Sequence, residues 1–318
     1  MDVTVTAWVA LIAGLIALLL LDLFVLHRGA HEISVRDASL STGGFVAVAV
    51  AFGIALGAFE GSSASEQFFA GYTLELSLSI DNVFVWAVIF SAFSVPAAYQ
   101  HRVLFYGIFS ALILRGGFVA LGAELLHRFE WIVYVFGLVL LYAGARMFRG
   151  QREIDPERNP AIRVVRRQLP TTNRFRGAHL FVSAPDVPPA ERPRRSPMLG
   201  RWYATPMLAV LAVIEISDII FAVDSIPAIF GVTRETFIVF SATALALVGL
   251  RSMYFLLARM RGRFAYLDIG LAVLLVFIGV KFMLSEVVEI GVGVSLAVIV
   301  LVLIASVGAS LIADRRGA

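Results

Sequence analysis

The sequence has no cysteine, a single lysine (Lys281), and only 15% charged residues among its 318. Without cysteine the chain itself offers no thiolate metal site, no disulfide and no thiol redox chemistry. A soluble domain carries about 25% charged residues, so a chain this poor in charge cannot give its apolar residues a wettable cover. Hydrophobic residues make up 59%, and the mean hydropathy is +0.88. Those values exclude aqueous globular, disordered and nucleic-acid-binding classes. There is no nucleotide-binding loop and no nucleophile–base constellation, so an enzyme is not expected. His27, His31, His101, His127 and His179 lie in loops or at span ends and lack paired metal-ligand spacing. The first apolar run follows Met1 and Asp2 with no basic region before it, and reads as a retained transmembrane helix.

What is present is a series of long apolar runs. A helix needs about 20 apolar residues to cross the hydrocarbon core. Nine stretches meet that need, at 8–26, 43–59, 68–93, 103–125, 131–148, 203–230, 237–257, 264–284 and 290–312. Trp8, Trp131 and Trp202 sit at span ends and read as interface anchors. One hydrophilic segment, 150–201, interrupts the series with eleven arginines and several prolines, and reads as a cytoplasmic linker without a packed core. Placing that arginine-rich segment inside puts the N-terminus outside and the C-terminus inside. The basic turn at Arg259, Arg261 and Arg263 and the tail at Arg315 and Arg316 then also fall inside. The division expected is 1–66 for two N-terminal helices, 67–149 for a first three-helix unit, 150–201 for the linker, 202–285 for a second three-helix unit, and 286–318 for a last helix and tail.

Two spans break the hydropathy rule. The third reads Glu75-Leu-Ser-Leu-Ser79-Ile-Asp81-Asn82, and the sixth reads Glu215-Ile-Ser-Asp218, continuing to Asp224-Ser225-Ile-Pro227. Each is followed by a span with an internal arginine, Arg115 or Arg251. By the topology above the two units enter from opposite sides. Polar, irregular helices in inverted repeats mark secondary transporters. The fold expected is therefore an all-α polytopic membrane protein of about nine transmembrane helices with a 3+3 inverted repeat. Pro227 is expected to end or kink its helix.

An ionised side chain at the bilayer centre costs about 3 kcal/mol on insertion scales, so five acids in two spans need positive partners. The partners available are Arg115, Arg251, bound protons or a metal cation. Glu75, Ser79 and Asn82 share one helical face, as do Glu215, Asp218 and Ser225. Asp81 and Asp224 lie off those faces, lining a second side or marking local unwinding. Carboxylate, amide and hydroxyl oxygens form a hard donor set suited to Mg, Ca or Mn. Asp22, near the inner end of the first span, is a candidate for an access path, and Asp268 and Lys281 read as packing or snorkelling residues.

The motifs Glu75-x-x-Leu-Ser-x-Asp81-Asn82-Val-Phe and Glu215-x-x-Asp218-x-x-Phe-Ala-x-Asp224-Ser225-Ile-Pro227, with Leu-Arg251-Ser-Met-Tyr, resemble the TerC/Alx family of integral membrane proteins. The resemblance covers about 45–284 without the linker. It implies a bacterial inner-membrane protein that exports a divalent metal, Mn(II) above all. Glu75, Asp81, Asn82, Glu215, Asp218 and Asp224 would be ligands, Ser79 and Ser225 would support them, and Arg115 and Arg251 would compensate charge or gate. The metal would be cargo, with no permanently bound cofactor. The partners implied are the lipid bilayer and the cation, with a homo-oligomer or membrane-protein partner left open. Two other readings remain: an assembly factor for exported or membrane proteins, in which the linker or an outer loop matters most, and a tellurite or other oxyanion carrier using the arginines.

Overall fold

The computed structural model describes residues 3–22, 35–129, 131–148, 165, 171–172, 174–177, 179–188, 202–257, 266–284, 287–288 and 290–317. Among them are nine α-helices: α1 (Val5–Leu21), α2 (Val35–Glu60), α3 (Ser62–Ala92), α4 (Ala97–Arg128), α5 (Ile132–Phe148), α6 (Pro206–Phe230), α7 (Thr236–Leu257), α8 (Leu267–Met283) and α9 (Val292–Gly317). Six of these, α2, α3, α4, α6, α7 and α9, are long and apolar enough to cross a membrane. The helices α1, α5 and α8 are 17 residues each. Helix is the expected state of such a chain, because it satisfies every backbone N–H and C=O inside one segment. The apolar side chains Val9, Ile54, Leu301 and Ile304 are exposed on α1, α2 and α9, which suits lipid and not water. The protein is an integral membrane protein of α-helical architecture.

Local chemistry sets the helix ends. Thr4 and Thr205 cap α1 and α6 by accepting backbone N–H bonds at 3.2 Å from Ala7 and Met207, and Pro206 occupies the first helical turn where its missing N–H costs nothing. Ser94 takes a left-handed φ of 48°, which stops α3 and lets α4 turn back after Pro96. Pro227 does not end its helix; α6 continues through it to Phe230.

The contacts also fix relative directions. Along α4, Gly107, Ser110, Arg115 and Gly122 meet Ile214, Glu215, Asp218 and Phe230 in the same order, so α4 and α6 run parallel. Along α3, Gly71 meets Ala242 and Phe90 meets Tyr254, so α3 and α7 also run parallel. The helices α5 and α8 run antiparallel through a seam of small residues. A Cβ at Gly144 would lie 2.9 Å from the Ala272 carbonyl oxygen, and one at Gly279 would lie 3.0 Å from that of Gly137. The four helices α3, α4, α6 and α7 form the centre, and α1 and α2 pack on α7.

Two expectations change here. The linker is not wholly without packing: β1 (Phe181–Ser183) pairs antiparallel with β2 (Trp202–Ala204), and Thr172, Val187 and Ala204 are buried. Tyr203 and Ala204 therefore belong to a strand, and the sixth helix starts at Pro206. Trp8 is not a free interface anchor. It packs on Phe237 and Phe240, with ring centroids 5.1 and 5.7 Å apart. Trp131 and Trp202 are exposed. The arginine turn at 258–263 and most of the linker lie outside the described residues.

Candidate functional site

Helix periodicity on α3 brings Glu75, Ser79 and Asn82 to one buried face. The Ser79 hydroxyl donates to Glu75 Oε1 at 3.2 Å. Both α3 and α6 are continuous helices through their acidic motifs, so neither unwinds. On α6, Asp218 and Ser225 are buried and Glu215 and Asp224 are half-buried. Asp81 lies within α3, and its side chain is outside the described residues.

Arg115 of α4 enters between the two acidic helices and is 1% exposed. Its Nη1 donates to Glu75 Oε1, and its Nη2 donates to Asp218 Oδ1 at 3.1 Å. One guanidinium thus spans the two motifs. Nearby on α4, the Ser110 hydroxyl donates to Glu215 Oε1. Gly107 of α4 faces the same place, where a Cβ would be in ordinary contact with Ile214 at 3.4 Å and Glu215 at 3.7 Å.

Arg251 does not join this centre. It pairs with Asp22 at the end of α1, with both side chains buried, and its guanidinium carbon lies 5.8 Å from the Phe105 ring centre. The compensating charge expected for the acidic motifs is therefore halved, and Asp22 is the ion-pair partner of Arg251. Two carboxylates, Glu75 and Asp218, share Arg115, and a third, Glu215, lies close to Asp218 with Ser110 as its hydrogen-bond donor. If all three are ionised beside Arg115, two negative charges remain; Asp224 lies within electrostatic reach of both Arg115 and Arg146.

Several buried polar atoms have no hydrogen-bond partner: Glu75 Oε2, Glu215 Oε2, Asn82 Oδ1, Ser225 Oγ and Arg115 Nε. An unsatisfied buried polar atom costs about 1–3 kcal/mol, and more when charged, so the first four read as oxygen donors without an acceptor of their electron pairs. All are hard ligands. They are not drawn together around a point. Among the described residues no group of three or more His, Asp or Glu is placed to hold a metal at once.

Sequence reasoning missed Ser110 and the Asp22–Arg251 pair. Glu75 and Asp218 each precede an Asp-Asn or Asp-Ser pair by the same interval, Asp81-Asn82 or Asp224-Ser225. On that spacing Glu75 and Asp218 are equivalent, and these are the two acids that Arg115 holds. Arg251 does not fall in register with Arg115 on this alignment.

Comparison with known proteins agrees with the motifs. The profile described as "Integral membrane protein TerC family" matches residues 60–318. A Myxococcus xanthus protein named "Uncharacterized membrane protein STKORF319" is 44% identical over 310 residues, covering 97% of this chain and 93% of its own. An Escherichia coli K12 protein named "Putative membrane-bound redox modulator Alx" is 41% identical over 282 residues, covering 86% of this chain and 84% of its own. No solved structure matches the chain.

Proposed function

This chain belongs to the TerC family of integral membrane proteins, and from that premise we propose that it exports a divalent metal cation, Mn(II), through the centre formed by α3, α4, α6 and α7. The observation that carries the reading is the acid surplus: Glu75 and Asp218 share one guanidinium, Glu215 lies beside them on Ser110, and buried oxygens of Glu75, Glu215, Asn82 and Ser225 are unpartnered. A dication supplies the missing charge and accepts those electron pairs. Glu75, Asp81, Asn82, Glu215, Asp218 and Asp224 are the ligands proposed, with Ser79 and Ser225 in support. Arg115 holds Glu75 and Asp218 in the ion-free state and withdraws as cation charge replaces its own.

The helix directions support an inverted-repeat reading with one crossing per helix. In a chain that alternates direction, α4 and α6 must run parallel, α3 and α7 parallel, and α5 and α8 antiparallel, as their contacts have them. The contacts also exchange in pairs: α3 packs on α7 as α6 packs on α4. On this reading all nine helices cross the inner membrane, with the N-terminus outside and the arginine-rich linker inside. Moving a dication outward against a negative-inside potential costs about 4.6 kcal/mol per 100 mV. Proton counterflow through the same carboxylates is the proposed driving force, and it requires export to slow when the proton gradient is collapsed.

An oxyanion carrier is disfavoured, since the surplus carboxylates repel an anion. The "redox modulator" in the relatives' printed name would act here without a thiol, because the chain has no cysteine. The test is cellular manganese content and growth under excess manganese, comparing the intact chain with Asp81→Asn and Asp218→Asn at matched expression. Manganese should accumulate in both variants by about tenfold or to the level of cells lacking the protein, in keeping with the functional default of intramembrane acids. Unchanged manganese handling in both variants would falsify the reading.

A further inference from the structure

Clusters of aromatic rings flank the acidic stripe of α3 on both sides along the helix, and the two clusters are built differently. Toward the ends of α1, α2, α3 and α7 that lie beyond Glu75, Tyr72 stacks on Phe68 at 5.8 Å, Phe68 lies 5.1 Å from Phe52, and Phe52 lies 6.3 Å from Phe237. In the other direction, α3 carries Trp86 and Phe90 past Asn82, and α7 carries Tyr254 past Arg251. The Tyr254 ring is buried, 6.4 Å from Trp86 and edge-on to Phe90 at 5.4 Å. Its hydroxyl donates to Gln100 Oε1 at 3.1 Å, and Gln100 Nε2 donates to the Val95 carbonyl at 3.1 Å. Tyr254 is thus tied through one side-chain amide to the turn between α3 and α4. Gln100 is only half-buried, so this tether lies where water can compete for it. Beyond it, Phe175 of the linker lies 6.2 Å from the ring of Tyr99.

We propose that Tyr254, latched by Gln100, is the cytoplasmic gate of the ion path: its ring seals the centre against Trp86 and Phe90, and release of the Gln100 bond lets it swing aside and admit the cation. This deepens the transport reading above and rests on it. A ring of apolar side chains bars an ion because water does not wet it, so removing one ring should open the path. The cluster at Phe68 and Tyr72 would be the corresponding seal toward the opposite face.

The natural absence of cysteine makes the test direct. Ser225→Cys places a single thiol in the centre, and its modification by a membrane-impermeant methanethiosulfonate is timed from each face of oriented vesicles. Tyr254→Ala should speed labelling from the linker face by about tenfold or more, the expected result of wetting a closed constriction, and leave the opposite face unchanged. Gln100→Ala should act in the same direction by less, and Phe68→Ala should act only from the opposite face. If Tyr254→Ala does not fold, Gln100→Ala and Tyr254→Phe carry the test. Unchanged labelling from the linker face in all three, faster labelling from both faces alike, faster labelling only from the opposite face, or no labelling in any variant overturns the gate. Manganese added to the vesicles separates this from the transport reading. If Mn(II) fails to protect the thiol while the gate effect persists, the ion assignment is wrong and the gate stands.

Discussion

Arg115 and Arg251 stand on packed neighbours, α4 and α7, and each is 1% exposed, yet their surroundings differ in charge. Arg251 meets one carboxylate, Asp22, and the pair is electrically closed. Arg115 meets Glu75 and Asp218, with Glu215 held nearby by Ser110, and the surplus stays negative. A buried arginine is therefore not in itself a sign of transport chemistry. What separates a fastening from a working site is the number of acids within reach of the guanidinium, and whether buried oxygens are left over.

The sharpest way to break this contrast is to remove each arginine in turn. Arg115→Leu and Arg251→Leu should each lower stability by about 3–5 kcal/mol, because each strands a buried carboxylate. Thermal unfolding in detergent should then separate them. Manganese should restore Arg115→Leu by replacing the lost positive charge, and should leave Arg251→Leu unchanged. Equal rescue of both, or of neither, would dissolve the distinction.

A second substitution sharpens it. Replacing the closed pair as a unit, Asp22→Leu with Arg251→Met, should recover most of the stability lost in the single variants, since apolar replacement of a buried pair is often neutral or stabilising by about 1–4 kcal/mol. Manganese export should survive in that double variant. The smallest effect is expected at the edge of the working site: Ser110→Ala removes one hydrogen bond to Glu215 and should cost about 0.5–1.5 kcal/mol. Its readout is a modest rise in the manganese concentration needed for half-maximal export, with the maximal rate retained.

Much of the fold was legible before any coordinates. Each apolar run falls on one of the nine helices among the described residues, although α2, α3 and α4 begin six to eight residues before their runs, and Tyr203 and Ala204 pair with the linker as a strand. That exception follows from a short apolar stretch whose state depends on a partner strand distant in sequence. The candidate site was legible as two acidic stripes, because Glu75, Ser79 and Asn82 repeat at helical spacing and Ser79 does bond Glu75. Arg115 was identified, and its bridging of both stripes was not. Feature order along the chain places Arg251 after the α6 motif, while the fold turns it toward Asp22 at the end of α1. Ser110 gave no signal, being one hydroxyl in an apolar run that could as well have bonded its own backbone, as it also does at 2.8 Å to Tyr106 O.

The sequence by itself determined that this protein lives in a membrane as helices, and which two helices carry buried acid. Hydrocarbon admits no unpaired backbone and tolerates ionised groups only where something answers them, and both conditions are written in composition and spacing. Only the tertiary structure decided which acid meets which arginine. That choice joins residues as far apart as Arg115 and Asp218, 103 positions along the chain, and it depends on how whole helices are turned and slid against one another.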